Sequence, residues 1–173
     1  MPLLRRARPA DAPRLAVFAE QIFRATFGSQ CTTADLNLHC QLSYSEAIQA
    51  REIAAADWTT LLCEDGPDLA GFAQVRVGPA PACVSARAPG EIHRFYVVPA
   101  WQGRGVAQTL MRACLAELQA RGTDVVWLGV FERNPRAIAF YRKFGFAPAG
   151  THVFHVGHDP QRDLILSRPT VTE

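Results

Sequence analysis

Alternating and β-branched residues divide the chain into short runs that are typical of strands. The central run, residues 92–98, is β-branched and aromatic and is ended by Pro99, which predicts a strand. The turn-rich residues 64–68 favour a hairpin between two of the other runs. Further strands are predicted at residues 3–8, 58–64, 69–77, 125–131, 152–156 and 163–166.

Apolar residues at helical spacing predict two helical regions in the first third of the chain. Asp11 is expected to cap the first helix. Residues 32–56 are expected to form two helical pieces. Thr32 or Thr33 would cap the first piece, and a capping box that begins at Ser43 would start the second.

Two more helices are predicted in the second half of the chain, at residues 104–121 and 135–144. The later helix has Asn134 at its capping position and Pro135 at its first helical position. Prolines and alanines between residues 78 and 90 favour a loop, with a short irregular strand near Cys83.

Length and composition predict one globular domain over residues 1–173. Apolar residues make up 49% of the chain and the net charge is +2. This balance gives no electrostatic basis for nucleic-acid binding, and no apolar run is long enough for a membrane span. The first residues lack the apolar core of a signal peptide. The five scattered cysteines predict free thiols in a reducing cytoplasm.

The sequence places a glycine-rich turn between the central strand and the helix at 104–121. Gly103 and Gly105 free the backbone there, so that several N–H groups and the positive helix end point to one place. This arrangement predicts an anion site, most often for a phosphate. A Walker loop is excluded because no Lys-Ser/Thr pair follows the glycines. A dinucleotide site, with Asp124 on a ribose, stays an alternative, although Gln108 replaces its third small residue.

Two motifs carry a resemblance to a known family. The turn reads Gln-x-x-Gly-x-Ala, from Gln102 to Ala107, and the segment from Asn134 to Phe146 reads Asn-Pro-Arg-Ala-Ile-Ala-Phe-Tyr-Arg-Lys-Phe-Gly-Phe. Both resemble the GNAT superfamily of N-acetyltransferases, closely over residues 91–150. The resemblance implies a mixed α/β fold, with a twisted, mostly antiparallel sheet of about six or seven strands and about four helices.

The resemblance also implies a site for acetyl-CoA as co-substrate, and no metal. The turn would bind the diphosphate through backbone N–H groups, with Arg104 adding charge. The central strand would pair with the pantetheine arm through main-chain atoms. The implied cofactor-binding residues are Tyr96, Val97, Val98, Gln102, Gly103, Arg104, Gly105, Val106, Ala107, Gln108, Asn134, Phe140 and Tyr141.

Two residues match catalytic positions of that family. Glu91 aligns with the general base of some members, which would act through a water, and His93 and Glu132 are the second and third choices. Tyr141 aligns with the tyrosine that gives a proton to the departing thiolate. The implied reaction is direct attack by a primary amine in a ternary complex, without a covalent enzyme intermediate.

The acceptor is inferred from a looser resemblance. Residues 26–28 and 150–168 resemble bacterial polyamine N-acetyltransferases of the PaiA type, which implies spermidine or spermine. A protein N-terminus, an aminoglycoside or an amino acid are alternatives, as is an acyl-CoA sensor without turnover. The candidate contacts for a cationic amine are Asp35, Tyr44, Glu46 and Glu52.

Two further expectations concern partners and metals. A homodimer through a sheet edge is expected from the same resemblance. The spaced His152, His155 and His158 could suggest zinc. However, alternation on a strand turns the first two to opposite faces, and no acidic or cysteine partner stands at ligand spacing.

Overall fold

The computed structural model, which describes residues 2–171, contains seven strands and five α-helices within that range. The strands are β1 (Leu3–Arg6), β2 (Trp58–Asp65), β3 (Asp68–Val77), β4 (Pro89–Val97), β5 (Val125–Phe131), β6 (Ala147–Val156) and β7 (Asp159–Pro169). The α-helices are α1 (Ala12–Phe27), α2 (Thr33–Ser43), α3 (Glu46–Ala54), α4 (Val106–Ala120) and α5 (Pro135–Lys143).

All seven strands belong to one sheet, in the order β1-β2-β3-β4-β5-β7-β6. Neighbours are antiparallel except β4 and β5, which run parallel. The parallel pair is bonded only between Pro89–Glu91 and Val125–Trp127. The expected mixed, mostly antiparallel α/β fold is therefore confirmed, with a split at its centre.

Helices cover both faces of the sheet. On one face α4 buries Leu110, Met111 and Leu118 against strand residues that include Leu128 and Leu166, together with Tyr141 of α5. On the other face α1 and α2 bury a second group around the fully buried Phe23 and Phe72. A third, small group lies under the loop before β4 and contains Val84, Trp127 and Ile165.

Several element boundaries differ from the sequence predictions. The predicted capping box at Ser43 is wrong, because Ser43 ends α2 and Ser45 caps α3 by accepting from the Ile48 N–H. The Asp11 side chain makes no cap bond; it pairs with Arg5 at 2.7 Å.

The second half of the chain also departs from the predicted bounds. The helix predicted from residue 104 begins at Val106, because Gly105 has a φ of 86° and cannot be helical. No strand forms near Cys83 in the described chain, and Val84 packs as a loop residue. The closing hairpin, β6 and β7, is longer than predicted. Within residues 2–171 no helix combines the length and apolar character that crossing a membrane requires.

Candidate active site

The split between β4 and β5 opens into a cavity of about 340 Å³. Backbone pairing ends at Glu91 and Trp127, and the strands diverge beyond that point. Each strand remains paired along its outer side, β4 with β3 and β5 with β7, so the sheet stays continuous around the opening. Residues 92–97 and 129–131 line the cavity from its two sides.

A β-bulge in β4 lies beside this opening. Gln74 pairs with Arg94 and Val75 pairs with Ile92, which leaves His93 as an extra residue. The bulge shifts the alternation of the strand, so Ile92 and Phe95 both face the α4 side. His93 itself lines the cavity.

Glu91 is buried next to the bulge and has two partners. It pairs with Arg76, and its Oε1 lies 3.0 Å from His93 Nδ1. Burial alone would raise the pKa of the Glu91 carboxyl, but His93 and Arg76 lower it below its usual value. Glu91 therefore stays ionised at neutral pH. It touches the cavity wall only through His93, because it is not a lining residue itself.

The glycine-rich turn forms the mouth of the cavity on the α4 side. Gly103 and Gly105 have φ of 78° and 86°, which only glycine adopts readily. No neighbouring atom lies within 4 Å of the position that a Cβ would take on either residue. The N–H groups of residues 103–108 make no well-formed hydrogen bond within the described chain. They lie at the start of α4, which is the arrangement expected of an anion site. Gln102 donates to the Val97 carbonyl at 3.0 Å and fixes the turn to β4.

The first turns of α5 complete this side. Asn134 accepts from the Ala137 N–H at 3.1 Å, so its oxygen caps the helix as predicted. The cap places Arg136, Phe140 and Tyr141 on the cavity wall. Tyr141 is 8% exposed, and its hydroxyl has no hydrogen-bond partner among the described residues. Burial raises the pKa of this phenol well above its usual value.

The opposite end of the cavity lies on the other face of the sheet and is mainly aromatic. The ring centroids of Phe23 and Phe27 of α1 are 4.7 Å apart, and those of Phe27 and Phe131 of β5 are 6.2 Å apart. Phe154 of β6 adds a further ring, and Asp163 of β7 is the one carboxylate that lines the cavity in the described chain. Sequence reasoning did not find Asp163.

Asp163 faces His152 across the β6–β7 ladder. The distance from His152 Nε2 to Asp163 Oδ2 is 3.7 Å, and His152 Nε2 has no hydrogen-bond partner in the described chain. Burial raises the pKa of Asp163 to about 6, although the nearby His152 opposes this. The pairing depends on strand register, which explains why spacing along the chain did not reveal it. Residues 2–171 contain no cluster of three potential metal ligands.

The structure brings together most of the predicted cofactor residues. Those that line the cavity are Tyr96, Val97, Gln102, Gly103, Ala107, Gln108, Asn134, Phe140 and Tyr141. Arg104, Gly105 and Val106 lie in the same turn without lining it, and Arg104 stacks over Trp101 at 5.3 Å. The Val98 N–H donates to the Ala70 carbonyl of β3 at 2.9 Å, so it is not available to a ligand.

The other candidates do not line the cavity. Glu132 faces Arg162 at 3.3 Å. Of the four residues considered for a cationic amine, none lines this cavity. The Asp35 carboxylate accepts from the hydroxyl of Thr32, the capping residue of α2, at 2.6 Å and from the His158 N–H at 2.8 Å, and Glu52 is buried against Arg94.

Comparisons with known proteins agree with this geometry. The model of the acetyltransferase (GNAT) family matches residues 19–146. An uncharacterized N-acetyltransferase of Mycobacterium tuberculosis is 38% identical over 81 residues, which is 47% of this chain and 52% of that protein. The chain therefore spans about half the length of that relative.

Two further similarities differ in kind. A mycothiol acetyltransferase of Beutenbergia cavernae is 45% identical over 65 residues, 38% of this chain and 22% of that protein. The crystal structure of a PaiA N-acetyltransferase from Thermoplasma acidophilum in complex with coenzyme A has a TM-score of 0.76 and 18% identity. It covers 98% of this chain and 99% of that one, so the two share a fold. The family match over residues 19–146, together with this fold, shows that the chain belongs to the GNAT family of acetyltransferases.

Proposed function

We propose that this protein transfers the acetyl group of acetyl-CoA to a primary amine by direct attack in a ternary complex. One observation carries the proposal: the cavity passes through the split sheet, from the glycine-rich turn on one face to the aromatic end on the other. An acyl donor and an amine can thus enter from opposite faces and meet between β4 and β5.

Acetyl-CoA fits the chemistry of the donor side. Its diphosphate binds the free N–H groups of residues 103–108 at the start of α4, and Arg136 on the cavity wall adds positive charge. The pantetheine arm lies along the unpaired side of β4, at Tyr96 and Val97, and adds to it like a strand. Asn134 contacts this arm with its amide nitrogen, because its oxygen caps α5.

We propose that the Glu91–His93 pair serves as the base. At neutral pH an alkylamine of pKa about 10.4 is almost wholly protonated, so it must lose a proton before it attacks. His93 lines the cavity and takes this proton, directly or through a water. Glu91 Oε1 lies 3.0 Å from Nδ1 of the ring and fixes the orientation of the imidazole, so that the other ring nitrogen can face the amine.

Tyr141, on the α5 side of the cavity, assists the departure of CoA. Its phenol stays neutral because burial raises its pKa, and its hydroxyl is free to donate. A thiol has a pKa near 8.5, below that of the phenol, so Tyr141 stabilises the thiolate by a hydrogen bond. The proton that restores the thiol comes from the amine that has just been acylated.

The preferred acceptor is a polyamine such as spermidine or spermine. Aromatic walls and a single carboxylate suit a chain of methylenes that carries ammonium groups. The partial similarity to a mycothiol acetyltransferase makes the acceptor of that enzyme a second candidate.

The test is release of CoA from acetyl-CoA by the purified protein with a panel of amines. The panel contains spermidine, spermine, an aminoglycoside, free amino acids and short peptides with free N-termini. We expect turnover to be fastest with the polyamines. Turnover with another class would replace the acceptor, and tight acetyl-CoA binding without turnover on any amine would favour a sensor.

Two further proposals concern the cell. Five free cysteines support a reducing cytoplasm. The edge strand β6, where Val153 is 58% exposed, is the candidate surface for a homodimer, and sedimentation equilibrium tests it.

A further inference from the structure

We infer that Asp163 binds the second, non-reacting ammonium group of a diamine or polyamine acceptor at the aromatic end of the cavity. The inference rests on the proposed transfer to a primary amine and deepens it. It names the residue that selects a dication over a monocation.

Asp163 is a buried carboxylate that the protein leaves without a hydrogen-bond donor. It is 8% exposed, and the described residues donate no hydrogen bond to it. The 3.7 Å separation from His152 Nε2 is too long for a hydrogen bond. With its pKa raised to about 6, the carboxyl is mainly ionised at pH 7. Burying an ionised group is costly, and among the described residues only the His152 imidazole, 3.7 Å away, stands beside this one, so a cation from outside the protein would complete the site.

The neighbouring cations do not fill this role. Arg94 lines the same cavity, but its guanidinium binds the Glu52 carboxylate at 2.5 Å and the Ser43 carbonyl at 3.0 Å. Arg136 stands on α5, at the donor side.

Strand alternation places Asp163 on the face away from the donor side. Leu164 and Leu166 pack with the group that contains α4 and α5, whereas Ile165 packs on the opposite face. Asp163 shares the face of Ile165 because side chains two apart on a strand point the same way. Its carboxylate therefore meets the amine and not the CoA.

The space around Asp163 suits an alkylammonium group. Phe131 is the register partner of Asp163 across the β5–β7 ladder, and its ring centroid lies 6.2 Å from that of Phe27 in the same cavity. Aromatic faces attract cations and pack against methylenes. The absence of a side chain at Gly129 of β5 lets His152 and Asp163 lie close to that strand, because a Cβ there would lie 3.0 Å from His152 Nε2 and 3.3 Å from Asp163 Oδ2.

The two nitrogens of such an acceptor must be in different protonation states. The reacting nitrogen must be neutral and lies by His93, whereas a nitrogen bound to Asp163 is kept protonated by the carboxylate. Asp163 thus cannot be the base for the amine that it holds. It binds the far end and positions the near one.

The test compares 1,4-diaminobutane with butylamine, which lacks the second ammonium. Steady-state kinetics are measured for the wild type, Asp163→Asn and the control Asp68→Asn, which makes the same change at an exposed turn. We expect the wild type to prefer the diamine in kcat/KM by about tenfold or more, the size of one buried charge pair. Asp163→Asn should raise KM for the diamine and bring its kcat/KM down to the level of butylamine, while Asp68→Asn keeps the preference.

Calorimetric titration of 1,4-diaminobutane into the wild type and Asp163→Asn makes the inference independent of turnover. Binding that depends on Asp163, with neither amine acetylated, would support the inference and overturn the proposed transfer. A diamine preference that survives Asp163→Asn, equal losses for both amines, or equal diamine binding by the two proteins would overturn the inference.

Discussion

Tyr141 is a buried phenol whose hydroxyl has no partner in the described protein, which is the state expected of a donor that waits for a ligand. Tyr141→Phe keeps the ring packing and removes only that donor. We expect kcat to fall by about 100-fold, the usual contribution of a positioned acid. The Kd of acetyl-CoA should change little, because the hydrogen bond forms as the thiolate develops. A variant with unchanged kcat would remove Tyr141 from the mechanism.

The Glu91–His93 pair predicts a dependence on pH. We expect His93→Gln to lower kcat/KM for the amine by about 100-fold at pH 7. The loss should shrink as the pH rises toward the amine pKa of about 10.4, because more of the amine is then neutral without help. Glu91→Gln should cost less, since the imidazole remains. Parallel pH–rate profiles for His93→Gln and the wild type would contradict a role for His93 as base.

Asp163 predicts a second pH effect, on stability. Its pKa is raised to about 6 in the folded protein, by burial and by the negative charge of Glu132 against the pull of His152. Ionisation therefore destabilises the fold, increasingly as the pH rises from about 4 to 6 and fully above that range. We expect Asp163→Asn to be more stable than the wild type by about 1–3 kcal/mol at pH 8. The gain should nearly vanish at pH 4, and thermal unfolding at both pH values checks this.

The turn before α4 is the element on which the proposed binding of acetyl-CoA depends. Gly105→Glu puts a side chain on a residue with φ of 86° and a negative charge at the anion site. We expect acetyl-CoA binding to be lost in calorimetry. Gly66→Glu is the matched control, because Gly66 has a φ of 59° in the β2–β3 turn, with open space around it. Both variants should lose similar stability, but only the first should lose the ligand; retained binding by Gly105→Glu would contradict the assignment.

Helix α3 is joined to the sheet by a buried ion pair next to the cavity. Glu52 binds Arg94, which also stacks on Tyr44 at 5.2 Å. Removing one partner of a buried pair leaves the other charged and alone, which costs about 3–5 kcal/mol. We expect Glu52→Ala to lose about this much in urea unfolding. Glu46→Ala, at an exposed position on the same helix, should lose far less, and equal losses would contradict the importance of the pair.

The elements show which parts of the site a sequence can reveal. The periodicity of apolar residues was enough to predict where the strands and helices lie, and the glycines were enough to predict the turn at Gly105, because these features are local. The bulge at His93 was not predictable, since one extra residue in β4 shows only against its partner strand. The contact between Asp163 and His152 and the ion pair between Glu91 and Arg76 were not predictable either, because each depends on how the strands pair.

The seven-stranded sheet of the molecule is split at its centre, between β4 and β5. Parallel pairing between β4 and β5 stops after three residues, while the two outer halves of the sheet are continuous and covered by helices. A passage between two faces follows from this topology, and in the proposed reaction the donor and the acceptor would enter it from opposite faces. The polar groups at the two ends of the passage differ in charge: N–H groups with partial positive charge lie at one end, and the Asp163 carboxylate lies at the other.

Titration of acetyl-CoA into the purified wild-type protein, followed by calorimetry, tests the central claim most directly. The split sheet and the proposed anion site predict one molecule of acetyl-CoA bound per chain. They also predict that NAD does not compete, because the turn lacks a third small residue at Gln108. Absence of acetyl-CoA binding, or displacement of acetyl-CoA by NAD, would contradict the account.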